Sequence, residues 1–332
     1  MRSFNYQRAT DVSQATTLAS QPEARILAGG TTQLDLMKCG VERPATLVDI
    51  THLQDLHDIT LSDGELTLGT LVKMSQAADS KTVKTFAPAL AESLSLAASA
   101  QLRNMASLGG NILQRTRCSY FRDPQAWSAC NKRNPGSGCA ALNGLNHNHA
   151  VLGTSDSCIA LYPGDFAVAL TAFDAVLNLQ NSAGELRSVP VTDFFRLPSD
   201  RPDLEHQLAP GEMIVSLTVP RSAALARSHY LKVRDRSSYE FAAASAAVGL
   251  EMEEDNLTIK EVRVALGGVA TKPWRAYQVE QALKGQRLEE KTLRKAAEKV
   301  TEGAIARQHN GHKIILAPRV IARALMTVGG LV

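Results

Sequence analysis

The chain has 332 residues, 44% hydrophobic and 21% charged, with a formal net charge of +3. That length allows about two domains, each with its own core, and the interspersed charges, with no basic block or aromatic-basic alternation, argue against a nucleic-acid binder. No apolar run reaches the ~18 residues of a membrane span, and five cysteines are too sparse for a secreted disulfide scaffold.

Asp11 reads as the N-cap of a helix over VSQATTLAS, and RILA, Arg25 to Ala28, as a buried strand running into Gly29-Gly30. Thr31 or Thr32 then caps a helix, QLDLMKC, which Gly40 stops. Leu47 to Ile50 and Leu66 to Leu71 read as further strands, with Asp63-Gly64 as a turn signal between them. Leu90, Leu94, Ala97, Ala98 and Leu102 predict a single helix from Pro88 to Arg103. It delivers the chain to Ser107-Leu108-Gly109-Gly110-Asn111, a second glycine pair.

An aperiodic stretch of about 40 residues follows, and a loop that long is usually functional or disordered. DFAVALTAFDAVLNL then reads as a helix followed by a strand. Five prolines between Pro190 and Pro220 mark loops around the strand MIVSLTV, and the composition places a domain boundary near Pro220 to Arg227. The remainder alternates strand signals (HYLKVRD, TIKEVRVALGGV) with amphipathic helix signals (EFAAASAAVGLEM, WRAYQVEQALKG, EKTLRKAAEKVTEGAI, APRVIARALMTV), an α+β pattern.

Four of the five cysteines, Cys118, Cys130, Cys139 and Cys158, lie in the aperiodic stretch at spacings C-x11-C, C-x8-C and C-x18-C. Thiolates in one loop suit zinc or an iron–sulfur cluster. Structural zinc normally uses close pairs, whereas wide gaps suit a cubane whose corners need ligands from four directions. Four unrelated buried thiols are the bland alternative, and Cys39, apart from the others, reads as a packed core thiol. Arg115, Arg117, Arg122, Lys132 and Arg133 would offset cluster charge or form a solvated face. His147 and His149 are possible further ligands, although a histidine in a polar loop is more often exposed.

LAGGTTQL presents backbone N–H groups and two hydroxyls in a geometry that suits pyrophosphate, with a tight turn as its plain structural reading. SLGGN repeats that chemistry later in the chain, and two such loops can grip the halves of a dinucleotide. Asp165, after Pro163-Gly164, either accepts hydrogen bonds from a ribose or N-caps the following helix. No G-x-S-x-G or H-E-x-x-H motif points to hydrolysis.

The succession LAGGTTQL, QLRNMASLGGNI, GDFAVALTAFDA, PGEMIVSLTVP, YLKVRDRSSYEFA and VRVALGGVA resembles the FAD-binding medium subunit of the xanthine dehydrogenase and molybdenum hydroxylase family, over nearly the whole chain. Within that family, the insertion running from QRTRC through CNKRNPGSGCAAL to SDSCIA is similar to that of periplasmic aldehyde oxidoreductases, whose FAD subunit carries a 4Fe-4S cluster. The β subunit of 4-hydroxybenzoyl-CoA reductase also has a cluster insertion, with a poorer match in its flanks.

The resemblance implies an α+β protein. A two-part FAD-binding domain of the PCMH, vanillyl-alcohol-oxidase-like type would span 1–222, with the cluster insertion at about 114–160. A C-terminal α+β domain of the CO dehydrogenase flavoprotein type, over 226–332, would complete the flavin site. Ile26, Leu27, Ala28, Gly29, Gly30, Thr31, Thr32, Gln33 and Leu34 would hold the pyrophosphate, and Ser107, Gly110 and Asn111 would form a second clamp. Asp165 would bind the ribose or ribityl region, Ile214 would pack near the flavin, and Lys232 would approach it from the C-terminal domain. Cys118, Cys130, Cys139 and Cys158 would ligate the 4Fe-4S cluster.

Its implied partners are a large molybdenum-cofactor subunit, a small subunit with two 2Fe-2S clusters, and an external acceptor such as ferredoxin or oxygen; no NAD motif is present. Gln33 and Leu34 stand where some relatives carry other polar or acidic residues, which leaves the glycines the firmer part of that loop. The N-terminus shows no signal peptide of its own. The resemblance therefore implies a periplasmic location reached with a partner that bears a twin-arginine signal, the alternative being cytoplasmic.

Overall fold

The computed structural model describes all 332 residues. The chain begins with a small parallel sheet, β1 (Asn5–Arg8), β2 (Ala24–Leu27) and β3 (Thr46–Asp49), with β3 in the centre. Parallel neighbours need crossovers, and helices Val12–Ala19 and Gln33–Lys38 lie on those connections. The Asp11 carboxylate caps the first by accepting from the Gln14 N–H at 2.8 Å. Gly40 ends the second at φ 73°, a left-handed conformation that suits glycine. The LAGGTTQL loop therefore leaves the carboxyl end of a parallel strand, where open α/β sheets place their ligands.

A five-stranded antiparallel sheet follows: β4 (Ile59–Ser62), β5 (Glu65–Gly69), β6 (Val176–Gln180), β7 (Leu186–Pro190) and β8 (Met213–Pro220), ordered β4-β5-β8-β6-β7. Asp63 (φ 50°) and Gly64 (φ 79°) form the two-residue turn of the first hairpin. Leu68 pairs Leu217, which pairs Leu177, and these fully buried residues join the helices Pro88–Leu96 and Phe166–Ala172 in the main core.

The expected single helix from Pro88 to Arg103 is two helices, Pro88–Leu96 and Ala100–Met105. Ala98 sits at φ 49°, and Ser99 starts a new helix by accepting from the Leu102 N–H at 3.3 Å. Side-chain spacing cannot reveal that break, because a serine N-cap inside an apolar run looks like any small helical residue.

The C-terminal part is an antiparallel sheet, β9 (Ser228–Val233), β10 (Ala244–Met252), β11 (Ile259–Gly267) and β12 (Trp274–Arg275), ordered β12-β11-β10-β9 and packed against helix His312–Gly329. EFAAASAAVGLEM, expected as an amphipathic helix, supplies the strand β10. Ala244, Ala246, Val248 and Leu250 face the C-terminal core, while Ala247 faces the main core. A strand buried on both faces has no polar alternation to announce its period of two. WRAYQVEQALKG likewise divides into β12 and a helix that begins only at Tyr277. No helix is long and apolar enough to cross a membrane.

From Asp123 to Asp165 the chain has no helix or regular strand, as the absence of periodicity implied, yet it is held by side chains. Asn131 donates to the Ser157 carbonyl at 3.0 Å and accepts from the Gly138 N–H at 2.8 Å. The fully buried Asn146 donates to the Ala141 carbonyl and accepts from the His309 N–H; the fully buried Asn310 donates to the Ala150 carbonyl. The C-terminal domain thereby clamps the cysteine segment.

Candidate functional site

A cleft of about 560 Å³ opens between the parallel sheet and the antiparallel sheet, within the ~300–1,000 Å³ range of cofactor sites. Ile26, Ala28, Gly29, Gly30, Thr31, Thr32 and Gln33 line it from the first glycine loop, Ser107 and Gly110 from the second, and Ile214 from β8. Leu27 and Leu34 stand behind this lining, where a Cβ on Gly30 would lie 3.0 Å from Leu34 Cδ1 and 3.6 Å from Leu27 Cδ1; Asn111 does not line the cleft, and its amide donates to Met74 Sδ at 3.4 Å.

The two loops do different work. From Gly29 to Gln33 no backbone N–H donates to another backbone group, and Gly30 holds φ 72°. The Gln33 side-chain nitrogen is buried without a partner. Unspent donors arrayed on a turn form an anion-binding concavity, so this loop fits a pyrophosphate.

The second loop does not repeat that chemistry, contrary to the expectation from its glycines. Leu108 N–H donates to the Val72 carbonyl, Gly109 N–H to the Thr70 carbonyl, Asn111 N–H to the Ser107 carbonyl, and Gly110 N–H to Ser107 Oγ at 3.4 Å. Its glycines serve close approach instead. A Cβ on Gly109 would meet Thr70 Oγ1 at 1.9 Å, and a Cβ on Gly29 would meet the Met105 carbonyl oxygen at 2.0 Å, so the first loop lies directly on the chain leading to the second. Asn111 Oδ1 is buried and unpartnered, which leaves an acceptor free beside the cleft.

Asp165 and Lys232 lie outside the cleft lining and hold each other. Lys232 Nζ donates to Asp165 Oδ2 at 2.8 Å, with side chains 1% and 6% exposed, and the Tyr230 hydroxyl donates to Asp165 Oδ1 at 2.7 Å. Burial pushes the Asp165 carboxyl up against the opposing pull of Lys232 and Tyr230. This pair ties β9 to the start of helix Phe166–Ala172; Asp165 makes no side-chain N-cap bond there.

Cys118, Cys130, Cys139 and Cys158 line one enclosed, mostly apolar cavity with Tyr120 and Phe121. Cys130 and Cys139 face each other across an isolated antiparallel bridge, and none of the four is in a disulfide. No three His, Cys, Asp or Glu side chains converge closely enough to hold a single metal ion. Burial pushes Cys118 up to about 12 and Cys158 up to about 11, and raises Cys139 as well. These three thiols are neutral near pH 7.

His149 is buried, with Nε2 3.2 Å from Cys118 Sγ, and burial lowers it to about 4; His147 is exposed and stacks on His312. Cys39 lines neither cavity.

The basic residues of the segment are already partnered. Arg115 bridges Glu42 and Glu205, Arg117 and Arg122 share Asp35, Lys132 pairs with Glu205, and Arg133 donates to the carbonyls of Tyr120, Phe121 and Trp127. They are neither a free solvated face nor a charge shell on the cysteines, with the exception of Lys132, which also lines the cysteine cavity.

Between the two cavities lies a third, narrow one. It shares Lys132, Cys158 and Ala160 with the cysteine cavity, and Leu113, Leu204, Glu205 and His206 with the cleft. Glu205 is its central charge: burial favours the neutral acid, but Lys132 and Arg115 outweigh burial and hold the carboxyl below its ordinary range. Glu42, Glu205 and His206, and the pairing of Arg115 with both carboxylates, escaped the sequence reading because residues so far apart in the chain leave no local spacing signal.

Residues 2–222 match the family described as "FAD binding domain in molybdopterin dehydrogenase", and residues 229–313 match the "CO dehydrogenase flavoprotein C-terminal domain". The chain is 41% identical to the aldehyde oxidoreductase FAD-binding subunit PaoB of Escherichia coli (strain K12), over 98% of each chain. It is 25% identical to the glyceraldehyde dehydrogenase medium chain of Sulfolobus acidocaldarius, over 90% of this chain and 87% of that one. Its fold is similar to a chain of the carbon monoxide dehydrogenase from Hydrogenophaga pseudoflava, with TM-score 0.76 and 24% identity over 99% of this chain and 98% of that one. A free-donor glycine loop, a cleft of cofactor size and these full-length matches agree: the chain belongs to the FAD-binding medium-subunit family of the xanthine dehydrogenase and CO dehydrogenase flavoproteins.

Proposed function

We propose that the chain is the FAD- and 4Fe-4S-containing electron-transfer subunit of a molybdenum-dependent aldehyde oxidoreductase. In this reading it works in complex with a molybdenum-cofactor subunit and a 2Fe-2S subunit and delivers electrons to an external acceptor. The observation that carries it is the junction of the two cavities: the cleft of unspent donors and the four-thiol cavity are joined by a space that borrows residues from both. When bound, FAD takes electrons singly or in pairs and a cluster passes them singly.

The residues divide that work. Gly29 to Gln33 bind the pyrophosphate through their N–H groups and Gln33 supplies a further donor, while Ile214 gives an apolar wall. Ser107 and Gly110 close the opposite side, and Asn111, next in the chain, keeps a buried unpartnered Oδ1. Asp165 and Lys232 hold the C-terminal sheet against the FAD-binding part; the flavin contact that the resemblance assigns them would need a part of the flavin outside the cleft that the glycine loops line. The four cysteines supply thiolate ligands from an apolar shell. Thiols that line a common cavity without converging on a point favour a multi-iron cluster over a single zinc ion.

Purification of the chain tests the reading by flavin and iron content and by visible absorption. Flavin bands over broad iron–sulfur absorption are expected. An iron-free flavoprotein overturns the cluster, a flavin-free chain overturns the cofactor assignment, and aldehyde turnover by the chain alone overturns the division of labour. Export with a twin-arginine partner is a separate proposal resting on the resemblance. Cell fractionation tests it, and retention in the cytoplasm refutes it.

A further inference from the structure

We propose that His149 is a positioning residue of the cysteine cavity, donating an Nε2–H hydrogen bond to the sulfur of Cys118 and thereby raising the reduction potential of the cluster held there. The inference rests on the cluster reading of the four cysteines. His149 is 5% exposed, its Nε2 lies 3.2 Å from Cys118 Sγ, and its ring does not line the cavity. It stands behind the sulfur, which makes it an outer partner of a ligand. Among the four sulfurs, Cys118 alone has a side-chain donor; Cys158 Sγ accepts from the Ala160 backbone N–H at 3.4 Å.

The tautomer follows from the chemistry of the loaded site. A ligating cysteine has no proton to give, so its contact with an imidazole nitrogen is attractive only if that nitrogen carries hydrogen. His149 Nδ1 is buried with no partner. Placing the proton there would bury an orphaned donor and set a lone pair against the sulfur, an arrangement disfavoured twice. Hydrogen bonds to cluster ligands stabilise the more negative, reduced state, which raises the potential.

The ring is held in place by the backbone around it. His149 N–H donates to the Asn146 carbonyl at 3.0 Å, and Asn310 Nδ2 donates to the carbonyls of His149 and Ala150 at 3.5 and 3.0 Å. Because this clamp uses main-chain atoms of position 149, a side-chain substitution leaves it intact. Tuning and folding are therefore separable.

The test is an EPR-monitored redox titration, with iron and sulfide content, of the full chain purified without oxygen as wild type, His149→Leu and His149→Gln. The expected result is full iron in all three, a lower cluster potential in His149→Leu, and recovery of most of the shift in His149→Gln, whose amide restores a donor. Iron lost from the leucine variant but kept by the glutamine variant supports the same donor requirement. An unchanged potential in His149→Leu, or an equal shift in both variants, overturns the proposal. Loss of iron from both overturns it in favour of a ligand or folding role. An iron-free wild type overturns the cluster reading itself, and this inference with it.

Discussion

The glycine cleft and the cysteine cavity are built on opposite principles. The cleft is open, and its first loop keeps five backbone N–H groups and the Gln33 amide free of protein partners, so it is a recognition surface complete before anything binds. The cavity is closed and apolar, and burial holds the Cys118, Cys139 and Cys158 thiols protonated. On the proposed cluster reading it would become a binding site only by losing those protons. The cleft is preorganised, whereas the cavity, on the proposed reading, would be assembled by its ligand. Lys132, Glu205 and His206 lie where the two meet.

The largest expected effect separates the sites outright. Cys139→Ser removes one corner of the cavity and none of the cleft, so iron falls to a small fraction of wild type while flavin content stays. Full iron in that variant refutes the ligand set. Lys232→Ala comes next, because it strands Asp165 as an unpaired buried charge at a cost of about 3–5 kcal/mol. A matching fall in thermal midpoint checks it. Flavin content in the variant protein that remains folded then tells whether the pair only joins the two parts of the chain or also touches flavin.

Gly29→Ala is the converse of the cysteine change. A Cβ 2.0 Å from a backbone oxygen cannot be relieved by a rotamer, so the glycine loops must part, costing about 1–3 kcal/mol. Flavin is expected to be lost while iron is retained; a variant that keeps flavin at full occupancy shows that the two loops need not touch.

The thiols predict a pH dependence with a definite sign. Folding raises Cys118 from 9.0 to about 12 and Cys158 from 9.0 to about 11, so the unfolded chain releases these protons first. What these two thiols contribute to the stability of the iron-free chain is therefore intact below pH 9 and declines as the pH rises toward 11–12. Denaturant titrations of the iron-free chain across that window, with Cys118→Ser as comparison, measure the decline; an equal fall in the variant assigns it to other groups.

The smallest effect is that of Ser107→Ala. Loss of a helix-capping acceptor costs ~1 kcal/mol and weakens flavin binding only modestly, because the second loop spends most of its donors on the protein. A large flavin defect there would show that the two loops are equivalent after all.

Much of this was readable along the chain. Asp11, Gly40 and Asp63-Gly64 mark element ends by local backbone chemistry, which survives in any context. The first glycine loop was readable for the same reason: its φ and its free donors belong to a few consecutive residues. Misreadings fell where distant packing decided the outcome. The second glycine pair looked like the first, yet Thr70 and Val72 take its donors. EFAAASAAVGLEM looked helical because burial on both faces erased its alternation.

Sequence alone determined the elements with strong local signals, the cysteine spacing and the likeness to a family, since each is a property of neighbouring residues or of their order. Only the tertiary structure decided that four thiols meet in one cavity, that Asp165 pairs with Lys232, and that His149 stands behind Cys118. The reason is physical: burial and charge pairing depend on which distant segments meet, and here Asn146 and Asn310 bring the cysteine segment onto the C-terminal domain.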